Sequence, residues 1–247
     1  MEDVKNKTSE ALYDYYKKEQ NLSKLISVSR SMLSSSSSTP QIRGEICETV
    51  LSIMLEEYIN RYNLNDKWIV SKGLILKDRL NPTSSYSTEL DLTLFTAETI
   101  YCFECKSYRG KKILRDKGKL YVEYNGKEKL QIDIYEQHKK HFYALIKYLK
   151  DYQISGVEGG KPVKIIIFNF SEGELLDKRD ERFKRLFPVV DESQVYKIFK
   201  YHFDAPRFWD IERMKGKIHE LEEKSKGLYD EHICYVSSIH SNSEDST

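Results

Sequence analysis

Three charged residues interrupt otherwise apolar segments. Asp91 lies within Glu89-Leu90-Asp91-Leu92-Thr93-Leu94-Phe95, and Glu104 and Lys106 lie within Tyr101-Cys102-Phe103-Glu104-Cys105-Lys106. Residues two apart on a strand share a face, so Glu104 and Lys106 point one way while Phe103 and Cys105 point into the opposite layer. If the two segments pair, Asp91 approaches Glu104, and two carboxylates and a lysine converge. A hard divalent cation such as Mg2+ or Mn2+ takes oxygen ligands, which Asp91, Glu104 and the backbone carbonyl of Cys105 can supply. Such an ion polarises a phosphate and makes water a stronger nucleophile. A lysine alongside orients or deprotonates that water, or stabilises the charge that builds on the phosphate. Glu-x-Lys occurs by chance on many exposed strands. Within an apolar run it carries more weight, because a charge there needs a partner or a metal.

Periodicity indicates the elements that must position these residues. Residues 3–32 read as helix, followed by a low-complexity break at Ser34 to Ser38 with Thr39-Pro40. From Ile42 to Tyr62 the stripe Ile46, Val50, Met54 and Tyr58 repeats every four residues, which predicts a helix with one buried face. Short apolar runs follow at Trp68-Ile69-Val70 and Gly73 to Leu76, then a loop at Asn81 to Ser85. Glu89 to Phe95 alternates at strand period, Thr99 to Tyr108 is a second strand, and Tyr121 to Tyr124 with Asn125-Gly126 predicts a hairpin. Gln131 to Tyr148 returns to helix. Val163 to Phe168 reads as a central strand buried on both faces. Beyond Glu172 the pattern weakens: Val195 to Phe203 fits strand or helix, and Trp209 to Lys226 reads as a charged helix. The order predicts an α/β fold with a central mixed sheet flanked by helices and with helical N- and C-terminal appendages. The boundaries read as an N-terminal helical appendage at 1–33, a serine-rich linker at 34–41, a core at 42–170, a mixed extension at 171–240 and a polar tail without structure at 241–247.

Composition excludes several classes. No apolar run reaches the length of a transmembrane helix, no secretory signal opens the chain, and four cysteines in 247 residues do not make a disulfide scaffold. A cytoplasmic protein with reduced thiols is expected. The net charge of +1 says little, but Arg109 to Lys150 holds twelve Lys or Arg against five Asp or Glu, with tyrosines interleaved. That excess, directly after Lys106, reads as a groove for phosphates in which Arg109, Lys111, Lys112, Arg115, Lys119, Lys139 and Lys140 make contact. The alternative is a solvated face. Cys102 and Cys105 face opposite sides of a strand and read as packing residues rather than zinc ligands. His138 and His141, three apart on a helix, read as surface or site-edge residues.

These motifs resemble the nuclease-related domain (NERD) branch of the PD-(D/E)XK, or restriction-endonuclease-like, superfamily, over roughly residues 42–170. The likeness rests on Gly44-Glu45 at the start of the first long helix and on Asp91 after an apolar residue. It also rests on Phe103-Glu104-Cys105-Lys106-Ser107-Tyr108 as an apolar-Glu-x-Lys-x-aromatic strand, on Gln137 followed by His141, Phe142 and Leu145, and on the apolar strand Val163 to Phe168. Two features depart from it: Ile134-Tyr135 stands where the family has Asn-Pro, and no proline precedes Asp91. The resemblance implies that Asp91 and Glu104 bind the metal and that Lys106 serves the attacking water. Glu45 would reach in as a further ligand, directly or through water, and Gln137 would contact the site or substrate. Glu48, three residues on, competes with Glu45, and Glu89 shares a face with Asp91. The implied activity is Mg2+- or Mn2+-dependent hydrolysis of phosphodiester bonds, in DNA, by an endonuclease of defence against foreign DNA, restriction or repair. The rivals are a catalytically inactive nucleic-acid-binding module of the same fold and an RNA endonuclease. The terminal helices are available for a homodimer or a regulatory partner.

Overall fold

The computed structural model describes residues 9–35, 38–77, 87–151, 163–171, 173–200 and 210–244. The N-terminal region forms two helices where one was expected, α1 (Ser9–Lys18) and α2 (Leu22–Ser34). Gln20 takes the left-handed conformation, with φ +51°, and Asn21 then caps α2 by accepting the Lys24 N–H. Residues 3–8 of the expected helix lie outside the described residues. The long helix α3 (Pro40–Arg61) starts two residues earlier than its apolar stripe suggested. Thr39 accepts the Ile42 N–H there, and Pro40 occupies the first turn, where its missing N–H costs nothing. Ile46, Val50, Met54 and Tyr58 are buried as expected, but so are Ile53 and Leu55, so α3 is enclosed on more than one face. A short 3-10 turn at Val195–Phe199 resolves the ambiguous segment, and the Tyr196 hydroxyl there donates to Met54 O at 3.1 Å. Residues 201–203 lie outside the described residues.

Nine strands are described: β1 (Ile69–Lys77), β2 (Ser87–Phe95), β3 (Ile100–Lys106), β4 (Lys111–Arg115), β5 (Lys119–Tyr124), β6 (Lys127–Asp133), β7 (Val163–Asn169), β8 (Leu175–Asp177) and β9 (Val189–Val190). They form two mixed sheets where one was expected. The five-stranded sheet has the order β1-β2-β3-β7-β9, and the four-stranded sheet has the order β6-β5-β4-β8. The pairs β1–β2 and β2–β3 are antiparallel and β7–β9 is parallel, while β4–β8 is the parallel pair of the second sheet. The segment after residue 170 thus supplies one strand to each sheet. Strands of two and three residues are too short to show a period, so the sequence does not reveal them.

The two runs at 68–76 form one strand, because Gly73 (φ +58°) carries the chain between them. The expected loop at 81–85 lies outside the described residues. Asn125 and Gly126, at φ +51° and +74°, make the β5–β6 hairpin with the two positive angles of a type I′ turn. Residues 131–133 belong to β6, not to the following helix. That helix, α4 (Ile134–Asp151), begins where the Ile134 N–H donates to Gly118 O.

After the short α5 (Glu181–Leu186) come α6 (Ile211–Lys226) and α7 (Tyr229–Glu244). Asp210 caps α6 by accepting the Glu212 and Arg213 N–H groups. Neither helix is a loose appendage. The Ile75 N–H on the edge strand β1 donates to Ser225 Oγ at 2.7 Å, and the Ser71 hydroxyl donates to Glu222 at 2.5 Å. An edge strand otherwise presents such groups as a template for pairing with another chain. Lys77 meets Glu231 at 2.6 Å, and His232 Nδ1 shares a 2.8 Å hydrogen bond with the Ser87 hydroxyl. Helix α7 continues through Ser241 to Glu244, part of the tail expected to lack structure; residues 245–247 lie outside the described residues. Among the described residues no helix is long and apolar enough to cross a membrane.

The chain packs as two compact units. One comprises Met1–Asn65, Glu104–Ile134 and Ile166–Phe203; the other comprises Asp66–Phe103, Tyr135–Ile165 and Asp204–Thr247. The first unit has a buried ion pair just after β8. The Arg179 side chain is fully buried and grips Asp177 through Nε at 2.8 Å and Nη2 at 2.6 Å. Burial alone would raise the Asp177 carboxyl, but the Arg179 guanidinium outweighs it and holds the group below its ordinary range. A depressed carboxyl contributes stability above its unfolded pKa, and this is lost as pH falls through the folded value. Asp177→Asn is therefore expected to cost about 1–3 kcal/mol at neutral pH. Its urea stability should also fall less than that of the wild type as pH drops below about 4. Equal acid sensitivity in the two proteins would refute this.

Candidate active site

Strand β3 is buried from Ile100 to Cys105, and its only charged residues are the last two of alternate register, Glu104 and Lys106. Glu104 is 2% exposed. Lys106 folds back along the shared face so that Nζ donates to Glu104 Oε1 at 2.5 Å. The backbone at this point is fixed: Lys106 O accepts the Phe170 N–H at 3.1 Å and the thiol of Cys47 on α3 at 3.8 Å. A buried carboxylate with an ammonium beside it, on a rigid strand end, can orient a water molecule or hold a cation with little reorganisation.

Around this pair, α3 presents Glu45 and Glu48 differently. The Glu45 side chain is 68% exposed and sits 3.8 Å from Lys17 of α1. Glu48 is half-buried. Both carboxylates act on Tyr13. Its hydroxyl is pushed up to about 12, first by burial and then by these charges and Asp14, with the neighbouring Thr49 acting the other way.

The second unit carries Asp91 on β2, half-buried. The β2–β3 ladder runs to Leu92 opposite Phe103, the covalent neighbours of Asp91 and Glu104. On the other side, Lys72 pairs with Leu92 and Leu74 with Leu90, so Gly73 stands across from Asp91. A Cβ at Gly73 would meet the Glu89 carboxylate at 3.2 Å, so the glycine lets that side chain lie close to the strand. The signal was present in the sequence, since an isolated glycine within a strand pattern marks a bulge or close approach. Gln137 lies on the first turns of α4, and its Oε1 is buried with no hydrogen-bond partner among the described residues. His138 and His141 are not surface histidines: both are buried, with ring centroids 6.2 Å apart. Glu104, His138 and His141 are buried side chains carrying ligand atoms of the kind a divalent ion takes.

The expected phosphate-binding residues divide. Lys112 is wholly buried, and its ammonium donates to the carbonyls of Tyr108 (3.3 Å), Gly110 (3.0 Å) and Gly173 (3.3 Å). It therefore holds a turn together and cannot reach a phosphate, contrary to the expectation from sequence. Lys111 pairs with Glu123, Arg115 with Glu128, Lys119 with Asp116 and Lys139 with Glu136. These four pairs use carboxylates of the same stretch, so its surplus of basic residues remains. Lys140 is exposed, and Arg109 donates to a backbone carbonyl. A cavity of about 820 Å3 lined by Arg30, Asp177, Asp191 and Glu192 among others contains none of the motif residues.

Cys102 and Cys105 are both buried, as packing residues should be. The core is thus α/β, with mixed sheets flanked by helices and an acidic–basic pair closing a buried strand. The chain belongs to the nuclease-related domain (NERD) family, which it matches over residues 43–168, just over half its length. The architecture is consistent with the restriction-endonuclease-like fold, and membership points to nuclease chemistry with a divalent metal and nucleic acid as the partner. No curated protein and no solved structure matches the chain.

Proposed function

We propose that this chain is a metal-dependent nuclease of the PD-(D/E)XK type that cuts phosphodiester bonds in DNA. Its setting would be the cytoplasm, as an endonuclease in defence against foreign DNA, restriction or repair. The observation that carries the reading is the Glu104–Lys106 pair, two charges on one face of a buried apolar strand in a member of the NERD family. Burying such charges costs free energy that a purely structural strand would avoid with apolar residues.

In this reading Asp91, Glu104 and the Cys105 carbonyl hold Mg2+ or Mn2+, an all-oxygen set that suits either ion. When bound, the ion supplies the Lewis acidity that polarises the phosphate. Lys106 orients the attacking water and stabilises charge on the phosphate oxygens. Glu45, exposed at the start of α3, acts through water rather than by direct ligation. Gln137 offers its unpartnered Oε1 to a donor on the substrate or on water.

The test is incubation of circular plasmid DNA with Mg2+, with Mn2+ and with EDTA, for the wild type and Lys106→Ala. Metal-dependent nicking that the variant lacks is the expected result. DNA binding without cutting under any metal would replace this reading with that of a binding module, and preferential cutting of single-stranded RNA would redirect it to RNA.

A further inference from the structure

Two arginines of the first unit, close enough for the charge of one to act on the other, reach nearby backbone carbonyls. Arg43, in the first turn of α3, donates from Nη1 to Ser38 O at 2.6 Å. Arg109, three residues beyond Lys106, donates from Nε to Leu33 O at 3.1 Å. One therefore reaches the last turn of α2 and the other the residue before the cap of α3. Neither forms an ion pair among the described residues. The Arg43 guanidinium is held below its ordinary basicity, first by burial and then by the charge of Arg109.

Each guanidinium also keeps an unused donor. Among the described residues, Arg43 Nε and Arg109 Nη2 are buried with no hydrogen-bond partner, and so is the hydroxyl of the buried Ser38. A structural tie to the α2–α3 stretch would need one hydrogen bond from each side chain. It would not need two like charges within reach of each other, nor a spare buried N–H group on each. Buried donors left unmade are costly, and an anion satisfies them and relieves the repulsion together. The guanidinium fork matches phosphate oxygens two at a time, and the start of α3 adds the partial positive charge of a helix N-terminus.

We propose that Arg43 and Arg109, with the Ser38 hydroxyl, form a clamp for a backbone phosphate of the nucleic acid, neighbouring the phosphate that is cut. The proposal rests on the nuclease reading above. Three residues of chain separate Lys106 from Arg109, a span of at most about 11 Å, so one polynucleotide can touch both. The surroundings favour a polynucleotide over free phosphate. Tyr108 and Tyr124 lie within electrostatic reach of Arg43, and Tyr124 is 49% exposed at the end of β5, where its ring is available to stack on a base or sugar.

The experiment is a fluorescence-anisotropy titration of a labelled short duplex and its single strand, in EDTA so that nothing is cut, over a series of salt concentrations. Wild type is compared with Arg43→Gln/Arg109→Gln, with Arg109→Gln alone, and with Arg43→Lys/Arg109→Lys, each checked by thermal melting. The double glutamine variant should bind about tenfold or more weakly, with a slope of log affinity against log salt shallower by about 1 to 2. The double lysine variant should keep the slope while binding more weakly, because it keeps charge and loses the fork. If the double glutamine variant does not fold, the single variant should show about half the slope change. Folded glutamine variants with unchanged affinity and slope would overturn the clamp, whether or not plasmid is cut. So would a wild type stabilised by inorganic phosphate that binds neither oligonucleotide. A slope change as expected, in a protein that never cuts DNA, would support the clamp and remove only the nuclease reading.

Discussion

Lys106→Ala is expected to destabilise the fold by about 3–5 kcal/mol, the usual cost of removing one partner from a buried ion pair. Glu104 is almost wholly buried and its Oε1 lies 2.5 Å from the lysine ammonium, so the substitution leaves a carboxylate in an apolar strand without its nearest positive charge. The carboxylate cannot simply turn to solvent, because the backbone around it is pinned by the Phe170 N–H and the Cys47 thiol. Lys106 also buries most of its hydrocarbon stem, with the side chain 12% exposed, and that packing is lost as well. Against a total stability of about 5–15 kcal/mol this is a large fraction, and it corresponds to a fall in Tm of roughly 6–20 °C. Urea denaturation in EDTA measures it without interference from metal. Lys106→Met separates the causes: it keeps the stem and loses the charge, so it should recover the packing part only. A Lys106→Ala protein as stable as the wild type would show that the pair is not a buried charge pair in solution, and the strongest support for the proposed site would go with it. The destabilisation also bears on activity, since loss of cutting in this variant has to be read against the fraction that remains folded.

The candidate site stands out in the sequence more sharply than the architecture, for a physical reason. A charge in an apolar strand conflicts with the local pattern, and the conflict is visible residue by residue at Asp91, Glu104 and Lys106. The long strands and α3 were legible because their periods persist for many residues, as in Ile46, Val50, Met54 and Tyr58. The Asn125-Gly126 turn was legible because few dipeptides accept two positive φ angles. Strands β8 and β9 were not, because two or three residues have no period, and their place in the sheets is decided by pairing with β4 and β7. The break between α1 and α2 depends on the left-handed Gln20, a residue type with no special preference for that conformation. Burial of Lys112 and the two histidines, and the pairing of Lys111, Arg115 and Lys119 with carboxylates across a strand or turn, depend on contacts that a linear count of charges cannot register. Arg43 was passed over for the same reason. Nothing in its own segment marks it, and only the fold brings it within reach of the charge of Arg109.

Glu104→Gln is expected to lower metal-dependent cleavage by about a thousandfold or more at a cost in stability of about 1–3 kcal/mol, less than that of Lys106→Ala. The amide oxygen can still accept a hydrogen bond from Lys106 Nζ, and the volume is unchanged, so the packing of β3 is preserved. What the amide lacks is the negative charge that holds a divalent cation. Metal polarisation of a phosphate is worth several kcal/mol of transition-state stabilisation, and each 1.4 kcal/mol or so is a factor of ten in rate, which sets the expected size. A second readout separates binding from chemistry. A wild type that binds the ion only when folded gains about 2.7 kcal/mol of stability at a metal concentration a hundred times Kd, and Glu104→Gln should lose that gain. Asp91→Asn should lose it too if both carboxylates ligate the same ion. Cleavage at the wild-type rate in Glu104→Gln would remove Glu104 from the metal site. Cleavage lost with metal stabilisation intact would instead make the carboxylate a group that acts on the attacking water, and would pass the task of holding the ion to Asp91 and its neighbours. The comparison with Lys106→Ala completes the logic: that variant should lose cutting and the larger share of stability but keep the metal-induced gain, whereas Glu104→Gln should lose cutting and the gain with a smaller loss of stability.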